Sequence, residues 1–189
     1  MKLSTKTIAT VGMFTAVLGI LSIITIPMPT GVPVTLQTFA MALCGFVLGW
    51  KLGLAATALY LVLGTAGIPI FAGMSAGPGV LFGYTGGFLW GFLFLTAFCG
   101  MGLRWKNMIL RGVCGMAGLA VCHLLGALWY GVLADLGLAA SLAAVSLPYL
   151  AKDVISVACA CAVGAAVRRA LRAGRLLPEP IKRQSFEGR

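Results

Sequence analysis

Asp153 stands beside Lys152 near the start of an apolar stretch, Leu147 to Val167, in a chain with only three other acidic residues. At membrane depth a carboxylate costs several kcal/mol unless it is paired or hydrogen-bonded, so such a residue is by default a binding-site candidate. An ionised aspartate only accepts, which suits it to N–H donors of a ligand. Helical spacing puts Ser156, Val157 and Ala160 on the same face as Asp153, and they are expected to line the same wall. Lys152 lies about 100° round the helix, so the two charges need not pair.

Two glycine- and proline-rich stretches hold the other unusual chemistry. Pro27 to Thr38 contains three prolines that deny it helix and stiffen it as an extended segment, a lid in outline. Its Thr35 and Gln37 either bond a ligand or satisfy the lid's own backbone. Gly64 to Gly87 includes Gly67-Ile68-Pro69-Ile70-Phe71-Ala72-Gly73 and Gly83-Tyr84-Thr85-Gly86-Gly87-Phe88. Glycines there let backbone approach a ligand closely, and Thr85-Gly86-Gly87 opening a helix offers free N–H donors. The same glycines also serve tight turns and helix packing, and periodicity does not separate the two. Phe71, Tyr84, Trp90 and Trp129 are the aromatic candidates to pack against a ligand, with Tyr84 the best placed.

The elements that position these groups are membrane-spanning. The chain of 189 residues is 60% hydrophobic and 10% charged, with a mean hydropathy of +1.04. A soluble domain of this length lacks the interior for so much apolar surface, whereas a bundle of spanning helices hides it in lipid. The expected fold is all-α, a polytopic membrane protein with six transmembrane helices and partly structured outer loops. The apolar segments run roughly Ser4 to Ile26, Thr35 to Leu48, Gly53 to Leu63, Thr85 to Leu103, Met108 to Ala134 and Leu147 to Val167. The second and third are short for a span of about 20 residues, so parts of the flanking loops are expected to dip into the membrane. The first run is span-length with no small-residue cleavage site after it, so it is not read as a cleavable signal peptide.

With the N-terminus inside, 13 of the 14 basic residues fall on the cytoplasmic side and Lys152 alone outside. The positive-inside rule then gives both termini in the cytoplasm. Trp50 and Trp105 mark the inner interface, and Trp129, Tyr130 and Tyr149 the outer one. Residues 1–170 form one six-helix substrate-binding domain, and 171–189 a basic cytoplasmic tail that orients the chain and meets lipid headgroups. The sequence leaves open whether Gln184 to Arg189 belong to the natural chain. The net charge of +10 is not arranged as a basic face interleaved with aromatics, so nucleic acid is not an expected partner.

His123 is a lone mid-helix histidine with no carboxylate on its face and reads as a packing residue. Cys44, Cys99, Cys114, Cys122, Cys159 and Cys161 all fall inside apolar runs without a C-x-x-C pair, and read as small hydrophobes. No metal site or cofactor is expected. A membrane enzyme would need a nucleophile–base pair or a metal cluster. A proton-coupled secondary transporter of a small vitamin-like carboxylate, the runner-up, would need an intramembrane acid–base chain and repeated halves. There is no G-x-x-x-x-G-K-[ST] loop for ATP.

Four ordered motifs carry a resemblance over about Lys6 to Val167. They are Val32-Pro33-Val34-Thr35-Leu36-Gln37-Thr38, Gly64 to Gly73, Gly83 to Phe92, and Pro148-Tyr149-Leu150-Ala151-Lys152-Asp153. In this the chain resembles the BioY family, the biotin-binding S components of energy-coupling factor transporters. The resemblance implies a six-helix S component in the bacterial cell membrane, with biotin held near the outer surface under the loop after the first helix. It also implies partners: a transmembrane coupling subunit and two cytoplasmic ATPases.

Biotin's ureido ring has two N–H donors, which the resemblance assigns to Asp153. A charge-assisted bond of this kind is about twice as strong as a neutral one. The family pattern has a lysine one turn after the aspartate, where this chain has Ser156. No arginine occurs on the outer side, so Lys152 is the sole fixed cation available to the biotin carboxylate; otherwise it snorkels to headgroups and backbone N–H groups or water serve. The expected substrate-binding set is Asp153, Lys152, Ser156, Gln37, Thr35, Phe71, Gly73, Tyr84, Thr85, Gly86, Gly87 and Trp90. On the first helix, Ala9, Gly12, Ala16 and Gly19 form a small-residue surface that the resemblance assigns to docking the coupling subunit; packing inside the bundle is the competing reading.

Overall fold

The computed structural model describes residues 4–174 and 176–177, so Lys2, Arg175 and the tail from residue 178 lie outside the described residues. Helix α1 (Thr5–Ile23) leads into a two-stranded antiparallel hairpin, β1 (Thr25–Ile26) and β2 (Val34–Thr35), in which Thr25 pairs with Thr35 and Ile26 with Val34. Then come α2 (Gln37–Leu48), α3 (Trp50–Thr65), a 3-10 turn (Ala72–Met74), α4 (Pro78–Phe82), α5 (Gly86–Gly102), α6 (Met108–Ala134), α7 (Leu138–Val145) and α8 (Leu147–Ala173). The prolines of 27–33 do keep that stretch out of helix. Two short helices, α4 and α7, were not expected: each is too short to carry a periodic signal, and α7 is apolar nearly throughout.

Three helices, α1, α6 and α8, are long and apolar enough to cross a membrane. Helix α2, at 12 residues, reaches only about 18 Å at 1.5 Å per residue. It sits inside the bundle: ten of its residues are buried, and the Arg168 guanidinium of α8 donates to the Val47 carbonyl at its C-terminal end. That satisfies one of the carbonyls a helix end leaves open. Gly49, with φ 83°, turns the chain from α2 into α3, a conformation that side-chain-bearing residues rarely adopt.

The outside of the long helices is apolar. Ile20 on α1, Val113 and Val132 on α6, and Ile155 on α8 are each more than half exposed, a surface suited to lipid rather than water. Inside, Leu18, Met41, Phe46, Tyr60, Phe71 and Leu95 are fully buried. Threonines stitch the helices together: Thr57 and Thr96 hydroxyls lie 3.1 Å apart, and Thr96 also donates to the Met41 carbonyl at 3.2 Å. Such interhelix bonds recur in membrane bundles.

The tightest seam joins α5 to α6 through glycine. A Cβ on Gly91 would stand 2.8 Å from Cys122 Cα, and one on Gly87 2.5 Å from the Leu125 carbonyl oxygen. Gly126 of α6 receives the Phe88 ring in return. On α1 the small residues divide: Ala9, Gly12 and Ala16 are exposed, with nothing within 4 Å of a Cβ on Gly12. Gly19 is buried against Ile70. The expectation that Gly19 shares the docking surface is therefore corrected, because its face turns inward.

Candidate functional site

An inner cavity lies where α8, α6, α5 and the start of α2 converge beneath the hairpin. Val32, Pro33, Thr35, Gln37 and Thr38 cover it from the hairpin side, and Phe88, Phe92, Leu119 and Val145 form apolar walls. Cys122, His123, Tyr149, Lys152 and Asp153 complete it. Asp153 is 5% exposed and His123 likewise, so this is a carboxylate withdrawn from water.

Its partners decide what it can do. His123 Nε2 lies 3.2 Å from Asp153 Oδ2, and the Phe88 ring meets the imidazole edge-on at 5.8 Å. Lys152 Nζ is in close contact with Asp153 Oδ1 and donates to the Thr35 carbonyl at 2.9 Å. The first finding goes against the reading of His123 as a packing residue, and the second settles a pairing that helical spacing left open. Lys152 and Asp153 do pair, because a lysine stem is long enough to bend back across about 100° of helix. His123 does face a carboxylate, but one on another helix, which spacing within α6 could not reveal. In a chain so poor in charge, a buried carboxylate demands a donor, and the single histidine was the signal available.

His123 Nδ1 is a buried side-chain atom with no hydrogen bond among the described residues, whereas Asp153 Oδ1 is met by Lys152. Leaving such an atom unsatisfied costs about 1–3 kcal/mol, so the free nitrogen of His123 is open to a polar group of a ligand.

The hairpin is held over the site by α8. Tyr149 donates to the Val32 carbonyl at 2.5 Å, and its hydroxyl also lies 3.0 Å from Thr30 Oγ1. With the Lys152–Thr35 bond this makes two ties from successive turns of one helix. Gln37 is engaged inward: its amide donates to Tyr60 at 2.8 Å and its carbonyl oxygen accepts from Thr35 Oγ1 at 3.1 Å. Thr35 and Gln37 thus line the cavity while satisfying each other and the hairpin.

Of the expected set, the structure gathers Asp153, Lys152, Thr35, Gln37 and Thr85 around the inner cavity. The others lie elsewhere. Ser156 is buried on the Asp153 helix but is not among the residues around the cavity, and Val157 and Ala160 are fully buried, with Val157 against the α6 backbone at Gly115. The expected shared wall is therefore corrected, because that face meets α6 and α2. Phe71 is fully buried, packed edge-on to Tyr60 at 5.3 Å and lying over Gly64. Gly73, at φ 63°, shapes the 3-10 turn.

A Cβ on Gly86 or Gly87 would strike the Leu81 carbonyl or Trp129, so these glycines serve packing. Trp90 is 40% exposed on the outside of α5. Trp129 donates its indole N–H to the Gly83 carbonyl at 3.0 Å, bracing the loop. Tyr84 packs against Tyr130 with the rings tilted at 47° and borders a second, outer cavity instead. Sequence reasoning missed His123, Phe88 and Tyr149 as site residues; Tyr149 sits in a quoted motif but reads there as an interface aromatic.

The arrangement is an acceptor between two donors at the end of an apolar slot. Among the described residues no group of three or more His, Cys, Asp or Glu could hold a metal ion.

Long stretches of the chain are similar to known proteins. The chain is 38% identical over 129 residues to a protein of Pyrococcus horikoshii described as a probable biotin transporter BioY, covering 68% of this chain and 76% of that one. It is 35% identical over 159 residues to the biotin transporter BioY2 of Lactococcus lactis, covering 82% and 86%. It is 40% identical over 116 residues to the biotin transporter BioY of Thermotoga maritima, covering 61% and 68%. In fold it matches a crystal structure of the S-component for biotin from an ECF-type ABC transporter, with a TM-score of 0.80 at 23% identity, over 89% of this chain and 95% of that one. The sequence model of the BioY family matches residues 1–173, and the chain belongs to the BioY family.

Proposed function

We propose that this protein is the biotin-binding S component of an energy-coupling factor transporter, a multi-pass membrane protein that captures biotin at its outer side. The observation that carries the reading is the buried Asp153 carboxylate, paired with Lys152 and His123 at the end of an apolar-walled cavity under the hairpin. Asp153 accepts a ureido N–H, while Lys152 and His123, which pair with its carboxylate, stand beside the ureido carbonyl. Phe88, Phe92 and Leu119 take the ring system. The pairing of Lys152 with Asp153 supports a role for this lysine at the ureido end rather than at the biotin carboxylate.

The six apolar helices α1, α2, α3, α5, α6 and α8 cross the membrane with both termini cytoplasmic, which puts Arg168, Arg169 and Arg172 at the inner headgroups. The chain is not an enzyme; separate ATPase subunits hydrolyse ATP and a transmembrane coupling subunit transmits the work. The exposed face of α1 around Ala9, Gly12 and Ala16 supports a docking role, since small residues let a partner helix approach closely.

The His123–Asp153 pair favours one rival, a proton-coupled carrier, more than the sequence alone does. Calorimetry on detergent-solubilised protein tests the main reading. It is expected to give saturable one-to-one biotin binding that thiamine and riboflavin do not displace; displacement by either at comparable concentration would make the vitamin assignment wrong. Uptake by this chain alone in vesicles under a proton gradient, without ATPases, would favour the rival.

A further inference from the structure

We infer that the outer cavity is a second subsite, one that receives the free end of the ligand's chain and admits biotin extended through an amide at its carboxylate. The inference rests on the biotin reading above and specifies the substrate class of that same site.

The two cavities share a wall. Pro33 and Thr85 line both, and beyond them the outer cavity is bordered by Gly31, Ser75, Gly79 and Tyr84. The inner cavity has about 40 Å³ of room for a water-sized sphere and the outer one about 290 Å³, opening broadly to solvent. Since one water needs roughly 10–15 Å³ on that measure, the inner space takes a ligand's rings only as Pro33 and its neighbours shift. Such a shift joins the two spaces. A ligand whose ureido ring faces Asp153 then has its chain leading past Pro33 and Thr85 toward the open side.

The chemistry of the outer cavity fixes what it tolerates. Among the described residues its lining contains no Lys, Arg, His, Asp or Glu. Two of its three hydroxyls are engaged at home, Ser75 donating to the Ala72 carbonyl at 2.8 Å and Thr85 to the Val80 carbonyl at 3.3 Å, which leaves the neutral Tyr84 hydroxyl as the side-chain donor it offers. Lys152, the basic residue of the inner cavity, is taken up by Asp153 and the Thr35 carbonyl. A carboxylate arriving there meets no fixed cation, stays hydrated and gains little. Replacing it by a neutral amide therefore loses little, and an extension continues into water instead of meeting a wall. Glycine keeps the wall low: nothing stands within 4 Å of a Cβ on Gly79.

The test uses the full chain in detergent, with calorimetry against biotin and against biotin joined by its carboxylate to the ε-amino group of lysine. The two affinities should agree to within about tenfold. Gly79→Phe should lower the affinity for the lysine amide by on the order of thirtyfold or more, and that for biotin by less than about threefold. Tight biotin binding with the amide weaker by roughly a thousandfold would overturn the subsite, as would equal losses for both ligands in Gly79→Phe. The unsubstituted protein decides the matter even if that variant does not fold. Failure of biotin itself to bind would sink the function, and this inference with it.

Discussion

The seam between α5 and α6 and the outward face of α1 are written in the same residues and do opposite things. Gly87-x-x-x-Gly91 is filled: a Cβ at either position would stand less than 3.0 Å from α6 backbone or side chain. Gly12-x-x-x-Ala16 is unfilled, exposed along with Ala9 and with no atom within 4 Å of a Gly12 Cβ. Small residues four apart say that a helix can approach closely. They do not say whether that helix belongs to the same chain. The contrast separates glycines packed against a neighbouring helix beside the site from a small-residue face that is open in this chain, and it can be broken from either side.

The largest effect is expected at the filled seam. Gly91→Leu drives a side chain into the Cys122 backbone, one residue from His123, so the seam must part and the His123–Asp153 contact with it. Overpacking of this severity costs on the order of 3 kcal/mol or more, and size-exclusion and thermal-unfolding profiles in detergent should show loss of the folded monomer. A Gly91→Leu protein as stable as the parent would show that the helices slide freely and that the seam does not position the site.

At the unfilled face the same kind of change should spare the fold. Gly12→Trp has open space to occupy, so biotin binding is expected to match the parent while uptake by cells supplying the remaining subunits is abolished. Loss of binding in Gly12→Trp would place that step inside the bundle and erase the contrast.

How much of this was legible in the sequence follows the range of each interaction. Long helices declared themselves, α6 to the residue, because burial in lipid imposes a continuous apolar run. The prolines of 27–33 announced a stretch without helix through local backbone restriction, although it forms the turn of a hairpin rather than an extended segment, and Asp153 stood out because a carboxylate in apolar surroundings needs a reason. What stayed hidden was pairing across the chain. Nothing near His123 in sequence points to Asp153, 30 positions later, and nothing near Gly86 or Gly87 says that Trp129 will lie against them. Phe71 and Trp90 read as ligand aromatics from their motifs. Tertiary packing buried the first beneath α3 and turned the second outward. The pairing of Lys152 with Asp153 depends on a rotamer of a flexible stem, which helical angle alone leaves open.

A charge change that leaves both glycine surfaces untouched isolates the site from its scaffold. Asp153→Asn keeps the shape and one acceptor oxygen, but removes the charge and turns a donor toward the ligand's N–H groups. Losing a charge-assisted bond in a desolvated pocket costs about 1.5–3 kcal/mol, a fall in biotin affinity on the order of tens to hundreds of fold. Unchanged affinity with an intact unfolding profile would show that Asp153 serves the fold and not the ligand.

Lys152→Met should have the smallest effect and is the most discriminating. The lysine side chain is 30% exposed, so water screens its pairing with Asp153, and His123 remains to satisfy the carboxylate. The variant also loses the bond to the Thr35 carbonyl, one of two ties between α8 and the hairpin, while Tyr149 keeps the other. Affinity is expected to fall roughly three- to tenfold, mainly through faster release as the hairpin loosens. Because the lysine sits at the Asp153 end of the cavity, biotin and its simple amide should lose affinity by the same factor. A loss for biotin alone would move Lys152 to the carboxylate end, restoring the two-ended anchoring that its position in sequence allows and removing the uncharged outer subsite.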